Sequence, residues 1–200
     1  MKGNSLIIIP TYNESENIEL IINKILLLND SNDILVVDDN SPDGTSKIVS
    51  DLKKQNIDRI FLIVRDNKLG LGSAYKEGFN WALNKNYSYI FEMDADLSHD
   101  PEEIVNLKEL LIKSGSDVAI GSRYLDGVSV VNWPLSRIFL SYFANIYVRI
   151  ITGMPVKDAT SGFIGYTNES LSSVNIDNIK FNGYAFQIEM KFKLWKKNFK

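Results

Sequence analysis

The residues best suited to chemistry are Asp94, Ala95 and Asp96, which close the apolar run Tyr89 to Met93. Where a strand ends and the backbone turns, two carboxylates so spaced can converge on one cation. Hard divalent ions such as Mg2+ or Mn2+ take carboxylate oxygens and keep positions open for substrate phosphates. An ion held there would offset the charge that grows on a departing diphosphate, which is Lewis-acid catalysis. The same acids could instead be a capping loop ahead of Asp100, so the pair needs support from its surroundings.

Asp38 and Asp39 follow the apolar run Ile34 to Val37. In open α/β sheets ligands sit at the carboxyl ends of strands, so these acids share an edge with Asp94 and Asp96. A carboxylate there can accept hydrogen bonds from a base or ribose. Asp-Asn-Ser-Pro-Asp-Gly is also rich in turn formers, and paired acids after a strand occur in phospho-acceptor receiver domains. Pro10-Thr11-Tyr12-Asn13-Glu14 ends the first apolar run on the same edge. Tyr12 suits stacking on a nucleobase and Glu14 suits hydrogen bonding to its rim; a turn aromatic and a first-turn acid are their ordinary roles. Arg123 and Arg137 offer guanidinium forks for phosphate oxygens, with surface ion pairs as the alternative. His99 is the only histidine and cannot by itself complete a nucleophilic triad; it reads as a neighbour of a helix cap.

These residues need a scaffold that presents strand ends. Short apolar runs alternate with helix-period segments, the pattern of an α/β domain with a mostly parallel central sheet flanked by helices. Strands are expected at Ser5–Ile9, Ile34–Val37, Arg59–Val64, Tyr89–Met93 and Asp117–Ile120. Ile18, Ile21, Ile22, Ile25 and Leu26 mark the first helix, and Ala74, Tyr75, Gly78, Phe79 and Ala82 a later one. Asp100-Pro101-Glu102-Glu103 predicts a capped helix start. The aromatic segment Trp133–Ile151, a Gly-containing stretch Gly162–Tyr166 and a final helix follow. That helix aligns Ile188, Phe192, Trp195 and Phe199 and carries no Gly or Pro stop before Lys200. The whole chain, 1–200, reads as one catalytic domain truncated at its C-terminus.

Composition closes several alternatives. The 200 residues are 44% hydrophobic and 24% charged, as in globular proteins. A net charge of -3 argues against nucleic acid as a partner. There are no cysteines, which excludes disulfides and thiol nucleophiles. No secretory signal opens the chain, and no apolar stretch reaches the ~20 residues needed to span a bilayer. Gly70-Leu71-Gly72 fails as a dinucleotide loop because Tyr75 stands where its third glycine belongs. A G-x-x-x-x-G-K-S/T sequence is also missing.

Taken in order, the segments P-T-Y-N-E, V-V-D-D-N-S-P-D-G-T, L-G-L-G-S-A-Y-K-E-G-F, D-A-D-L-S-H-D-P, G-S-R-Y and D-A-T-S-G-F resemble the dolichyl/polyprenyl-phosphate mannosyltransferase group of the family 2 inverting glycosyltransferases. The resemblance spans nearly the whole chain and implies a GT-A, Rossmann-like fold. It implies transfer of mannose from GDP-mannose to a dolichyl or polyprenyl phosphate. Pro10, Tyr12, Glu14, Val37 and Asp39 would then hold the nucleoside, and Asp94, Ala95 and Asp96 the diphosphate through Mg2+ or Mn2+. Asp96 and Arg123 would be the catalytic pair, and Arg137 would meet the acceptor phosphate. Ser98 stands where relatives place a metal-binding Gln, Ile164 where they carry Arg, and their downstream R-x-x-G-x-S-K segment is missing. A family 2 enzyme using UDP-glucose or another sugar nucleotide, and a nucleotide-binding fragment with little turnover, are the alternatives.

A polyprenyl phosphate is already an anionic oxygen nucleophile, so no general base is needed. Catalysis then rests on in-line positioning and on stabilising the leaving GDP. The lipid tail calls for peripheral attachment to the cytoplasmic face of a membrane. Trp133–Ile151 suits an interfacial helix, though an ordinary core helix shares its pattern. Lys191, Lys193, Lys196, Lys197 and Lys200 could meet anionic headgroups.

Overall fold

The computed structural model describes residues 4–28, 32–124 and 135–200. One six-stranded sheet forms from β1 (Ser5–Thr11), β2 (Asn32–Asp38), β3 (Ile60–Val64), β4 (Tyr89–Glu92), β5 (Val118–Ile120) and β6 (Ile164–Thr167). Its order is β3-β2-β1-β4-β6-β5. The first four strands run parallel, and β6 enters antiparallel between β4 and β5. Helices α1 (Ile18–Leu27), α2 (Thr45–Gln55), α3 (Leu71–Leu83) and α4 (Glu103–Lys113) are the crossovers. Then come α5 (Leu135–Thr152), α6 (Asn168–Ser173), a short 3-10 turn at Ile176–Asn178 and α7 (Gly183–Lys196). The expected α/β class and parallel centre are thus present.

Alternating side chains of the central strands feed two cores. Leu6, Ile8, Leu35, Val37 and Ile90 pack with α3 and α7, while Ile7, Ile9, Ile34, Val36 and Phe91 face α1, α2 and α4. Burial on both faces is why these strands read as unbroken apolar runs. Each fully buried Ile or Leu contributes about 1.5–3 kcal/mol. Helix α3 lies so close to β1 that a Cβ on Gly78 would stand 2.6 Å from Cγ2 of Ile8. That approach brings the start of α3 beside the strand ends.

Several expectations change. Gly162–Tyr166 runs into a strand, β6, whose four residues Ile-Gly-Tyr-Thr are too few and too buried to show a period-two pattern. The helix after Asp100 begins at Glu103 with Glu102 as its cap residue, and no side chain caps it. Asp100 instead accepts the Glu102 N–H within the preceding turn, at 3.1 Å. In α7 the core face is Phe186, Met190 and Leu194 together with polar Gln187 and Lys191, so the Ile188–Phe192–Trp195–Phe199 stripe is only half-buried. The helix does carry a stop. Asn198 takes a left-handed φ of 62°, with Asn198 N–H to Trp195 O and Phe199 N–H to Leu194 O closing a Schellman end. Among the described residues, no helix is long and apolar enough to cross a membrane.

Candidate active site

The carboxyl ends of β1, β2 and β4 and the start of α3 enclose a cavity of about 290 Å³. From β1 come Pro10, Thr11, Tyr12 and Glu14, and from β2 comes Asp39. The loop into α3 adds Lys68, Gly70, Leu71 and Ala74, and β4 adds Asp94, Ala95 and Asp96. Seven sequence-selected residues therefore share one wall-to-wall space. The chain reverses at each strand exit through a left-handed residue: Asn13 (φ 61°), Asn40 (φ 55°) and Leu97 (φ 60°). Asparagine tolerates that conformation; a leucine there costs about 1–2 kcal/mol. The strain at Leu97 is stored directly beside Asp96.

The two acids at the mouth of β4 differ. Asp94 is half-buried, and its Oδ1 accepts the Tyr75 hydroxyl at 3.0 Å. Burial first, then the charge of Asp96, pushes its carboxyl up to about 6. Asp96 is exposed, with Oδ1 accepting the Ser98 N–H at 3.0 Å. Two hard oxygen donors that repel one another at an open wall are the donor set a divalent cation satisfies. Among the described residues no third carboxylate or imidazole completes a cage. A cation held here therefore keeps positions for phosphate oxygens, and the residues fit Mg2+ or Mn2+. On the far side a Cβ at Gly162 would come within 3.2 Å of Asp94 Oδ2, so any larger residue would press the carboxylate aside by a few tenths of an ångström.

His99 is more than a neighbour of a helix cap. Its ring stacks on Phe163 at 5.0 Å, and its Nδ1 accepts the Asp94 N–H at 3.3 Å. Burial pulls the imidazole down to about 4, so it is neutral and the acceptor role fits. It fixes the backbone that bears the inner acid.

On the β2 side, Asp38 is buried and accepts Thr11 Oγ1 (2.7 Å), Ser41 N–H (2.9 Å) and Ser41 Oγ (2.6 Å). These bonds knit two strand ends together and leave no role as a phosphate acceptor. Asp39 Oδ1 accepts Arg65 Nε, and Oδ2 accepts the N–H groups of Leu69 (3.0 Å) and Gly70 (2.9 Å). Gly70 has φ 90°, a conformation that suits glycine and lets the loop turn onto the carboxylate. Burial first, and the charges of Asp96, Asp43 and Asp94, raise the Glu14 carboxyl against the hydrogen bond from Asn17. Tyr12 is 36% exposed, and the Lys68 ammonium lies 3.8 Å from its ring centroid. The face of that ring attracts a cation or a flat base.

Other selected residues lie apart. Val37 is buried in the core beneath the cavity. Ser98 is exposed and meets Asp96 through its N–H, not its hydroxyl. Arg123 lies off the cavity lining, forked onto Asp158 (Nε–Oδ2 2.8 Å, Nη2–Oδ1 2.6 Å) and bonded to Thr160 Oγ1 at 2.7 Å. Its charge still reaches Asp94, whose carboxyl it lowers. Arg137 belongs to α5, but its side chain lies outside the described residues, as does Trp133. Lys191 corrects an expectation: it is 3% exposed and turned inward, so it cannot meet a lipid headgroup. Sequence reasoning also passed over Lys68, Tyr75, Asp158 and the buried acid Glu92. Lys68 precedes the quoted L-G-L-G segment, and its place after a strand was the available signal.

Strand ends that gather an aromatic platform and paired carboxylates around one cavity define a sugar-nucleotide-type transferase site on an open α/β sheet. The chain belongs to glycosyl transferase family 2, whose description matches residues 6–174. It is 43% identical to the polyprenol monophosphomannose synthase of Mycolicibacterium smegmatis over 189 residues, covering 94% of this chain and 71% of that protein. It is 40% identical to the undecaprenyl-phosphate mannosyltransferase of Micrococcus luteus over 188 residues, covering 94% and 76%. Its fold is shared with the crystal structure of glucosyl-3-phosphoglycerate synthase from Mycobacterium tuberculosis in complex with Mn2+ and UDP-glucose. There the TM-score is 0.68 at 18% identity, over 98% of this chain and 65% of that one, which is just under two thirds of that protein's length.

Proposed function

We propose that the chain transfers mannose from GDP-mannose to a polyprenyl phosphate, inverting the anomeric centre. The observation that carries this reading is the convergence of Asp94 and Asp96 with Tyr12, Glu14 and Asp39 in one cavity. The names of the two mannosyltransferase relatives support the sugar and the lipid acceptor. Tyr12 stacks on the base and Glu14 takes hydrogen bonds from its rim. Asp39 accepts from the ribose while Arg65 and the Leu69–Gly70 amides hold it still. Asp94 and Asp96 would hold Mg2+ or Mn2+, which when bound neutralises charge on the diphosphate.

The acceptor phosphate oxygen forms the new bond to the mannosyl C1 as the bond from C1 to the diphosphate breaks, and GDP leaves with the electron pair. No proton has to be removed from the nucleophile. This chain's part is to line up the two groups and to surround the departing diphosphate with fixed charge. Arg123, held by Asp158, and Arg137 are assigned to that charge and to the acceptor phosphate.

Helix α5 provides the membrane contact, on the cytoplasmic face, without crossing the bilayer. Phe139, Leu140, Phe143, Tyr147, Ile150 and Ile151 are exposed along it, and residues 135–157 contain no acid. Such a surface favours an anionic lipid interface.

Calorimetry of GDP, GDP-mannose and UDP-glucose, with and without Mn2+, tests the donor assignment on wild type and Asp96→Ala. The expected result is metal-dependent binding of the guanine nucleotides that the substitution abolishes. Equal binding in all conditions ends the reading, and preference for UDP-glucose moves it to another sugar.

A further inference from the structure

Beyond the cavity lies a second set of buried polar groups that donor binding does not use. It centres on the loop 158–162, between α5 and β6. Lys191, on the core face of α7, donates Nζ hydrogen bonds to the carbonyls of Ser161 (2.8 Å) and Ala159 (3.0 Å). From the opposite side, Asn145 on α5, itself 2% exposed, accepts the Ala159 N–H on its Oδ1 at 2.7 Å. The same peptide segment is therefore gripped by two helices, one inside the core and one bearing the exposed apolar face.

Everything this loop carries points back to the reaction. Asp158 forks the Arg123 guanidinium and also accepts the Arg123 N–H at 3.1 Å. Thr160 adds a bond to the same guanidinium, and Ser161 Oγ donates to Gly121 O at 2.7 Å, tying the loop to the end of β5. Gly162 abuts Asp94. A shift of the loop moves a cation and crowds an acid together. Burying an ammonium costs several kcal/mol unless it is well hydrogen-bonded. A lysine at this core-facing position, its ammonium bonded to two loop carbonyls and facing the charge of Glu92 and Asp158, fits a role that an aliphatic residue could not fill.

We propose that Lys191 and Asn145 are positioning residues that clamp the 158–162 loop from opposite sides and so aim Arg123 and seat Asp94. The clamp links the membrane-facing helix to the acid pair through one residue, Ala159. It rests on the transferase reading, but it predicts a property of the loop that exists without substrate.

The test uses Lys191→Met, which keeps length and removes the ammonium, and Asn145→Ala, which removes the grip from the other side. Two measurements are made on the full chain. The first is hydrogen exchange of peptides spanning 158–163 against peptides from β1 and β2. The second is the split between kcat and the donor KM. The expected outcome is exchange at least tenfold faster in 158–163 alone, with kcat lowered about a hundredfold, the scale of an ångström-sized misplacement, and donor KM within about threefold of wild type. Unchanged exchange in both variants overturns the clamp. Equal changes in KM and kcat overturn it too, by making the effect a general loosening. If Lys191→Met does not fold, Asn145→Ala decides the matter by the same criteria. If wild type binds nucleotide yet transfers no mannose, the transferase reading fails while the exchange data still judge the clamp.

Discussion

On the Tyr12 side of the acid pair, polar groups at the ends of parallel strands find partners on the neighbouring strand end: Thr11 with Asp38, Asp39 with Arg65. On the Arg123 side the groups hang from a loop and an antiparallel pair of strands, and their partners come from loop and helix positions distant in sequence. Lys191 reaches back about thirty residues to Ala159 and Ser161, and Arg123 reaches forward to Asp158. The first side is rigid because two cores cover its strands. The second is held by a few charged bonds next to an exposed helix. The proposed nucleotide platform is built from the sheet itself, whereas the side proposed to meet the acceptor phosphate is assembled from a loop and partners distant in sequence.

The contrast can be broken by substitution, starting with the largest effect. Asp39→Asn leaves Arg65 buried with a weakened partner; losing such a pair costs about 3–5 kcal/mol, read as a lower denaturation midpoint. If stability holds, the platform is not as fixed as described. Tyr12→Ala removes a stacking face worth about 1–3 kcal/mol per base. Nucleotide affinity should fall roughly tenfold or more, while the thermal midpoint stays put.

The Arg123 side should respond to pH. Burial alone would raise the Asp158 carboxyl, but the hydrogen bonds and charge of Arg123 hold it below its ordinary value. A carboxylate depressed by folding contributes stability that is present above its unfolded value and is lost as pH falls through the folded one. Acid titration of stability should therefore show a loss beginning below about pH 4 that Asp158→Asn flattens. Phe143→Ser on the exposed face of α5 should change stability by no more than about 0.5 kcal/mol. Co-sedimentation with anionic vesicles should nevertheless drop in that variant. Retained vesicle binding would remove α5 as the proposed membrane contact.

How much was legible follows the same division. Parallel strands buried on both faces announce themselves as Leu6–Ile9 and Ile34–Val37, and their ends as runs of turn formers, so Tyr12, Glu14, Asp39, Asp94 and Asp96 could be placed on one edge before any coordinates. The position of β6 could not be read, because Gly165 exists to admit the Phe91 ring, which a Cβ would meet at 2.6 Å, and not to break a strand. Lys191 read as surface because a lysine at helical spacing usually is. The carbonyls of a loop distant in sequence, and the buried acids Glu92 and Asp158 whose charge it faces, account for its burial. Asn198 ended α7 without glycine, since asparagine too can adopt the left-handed turn.

Leu97 has one more implication, for anyone wishing to make the protein sturdier. Glycine at that position would relax the backbone and raise the melting temperature, yet it would also free the very residue that must present Asp96 outward. On the role proposed for Asp96, a tougher variant obtained this way should be a slower one, because the strained turn leaves the outer acid few other directions.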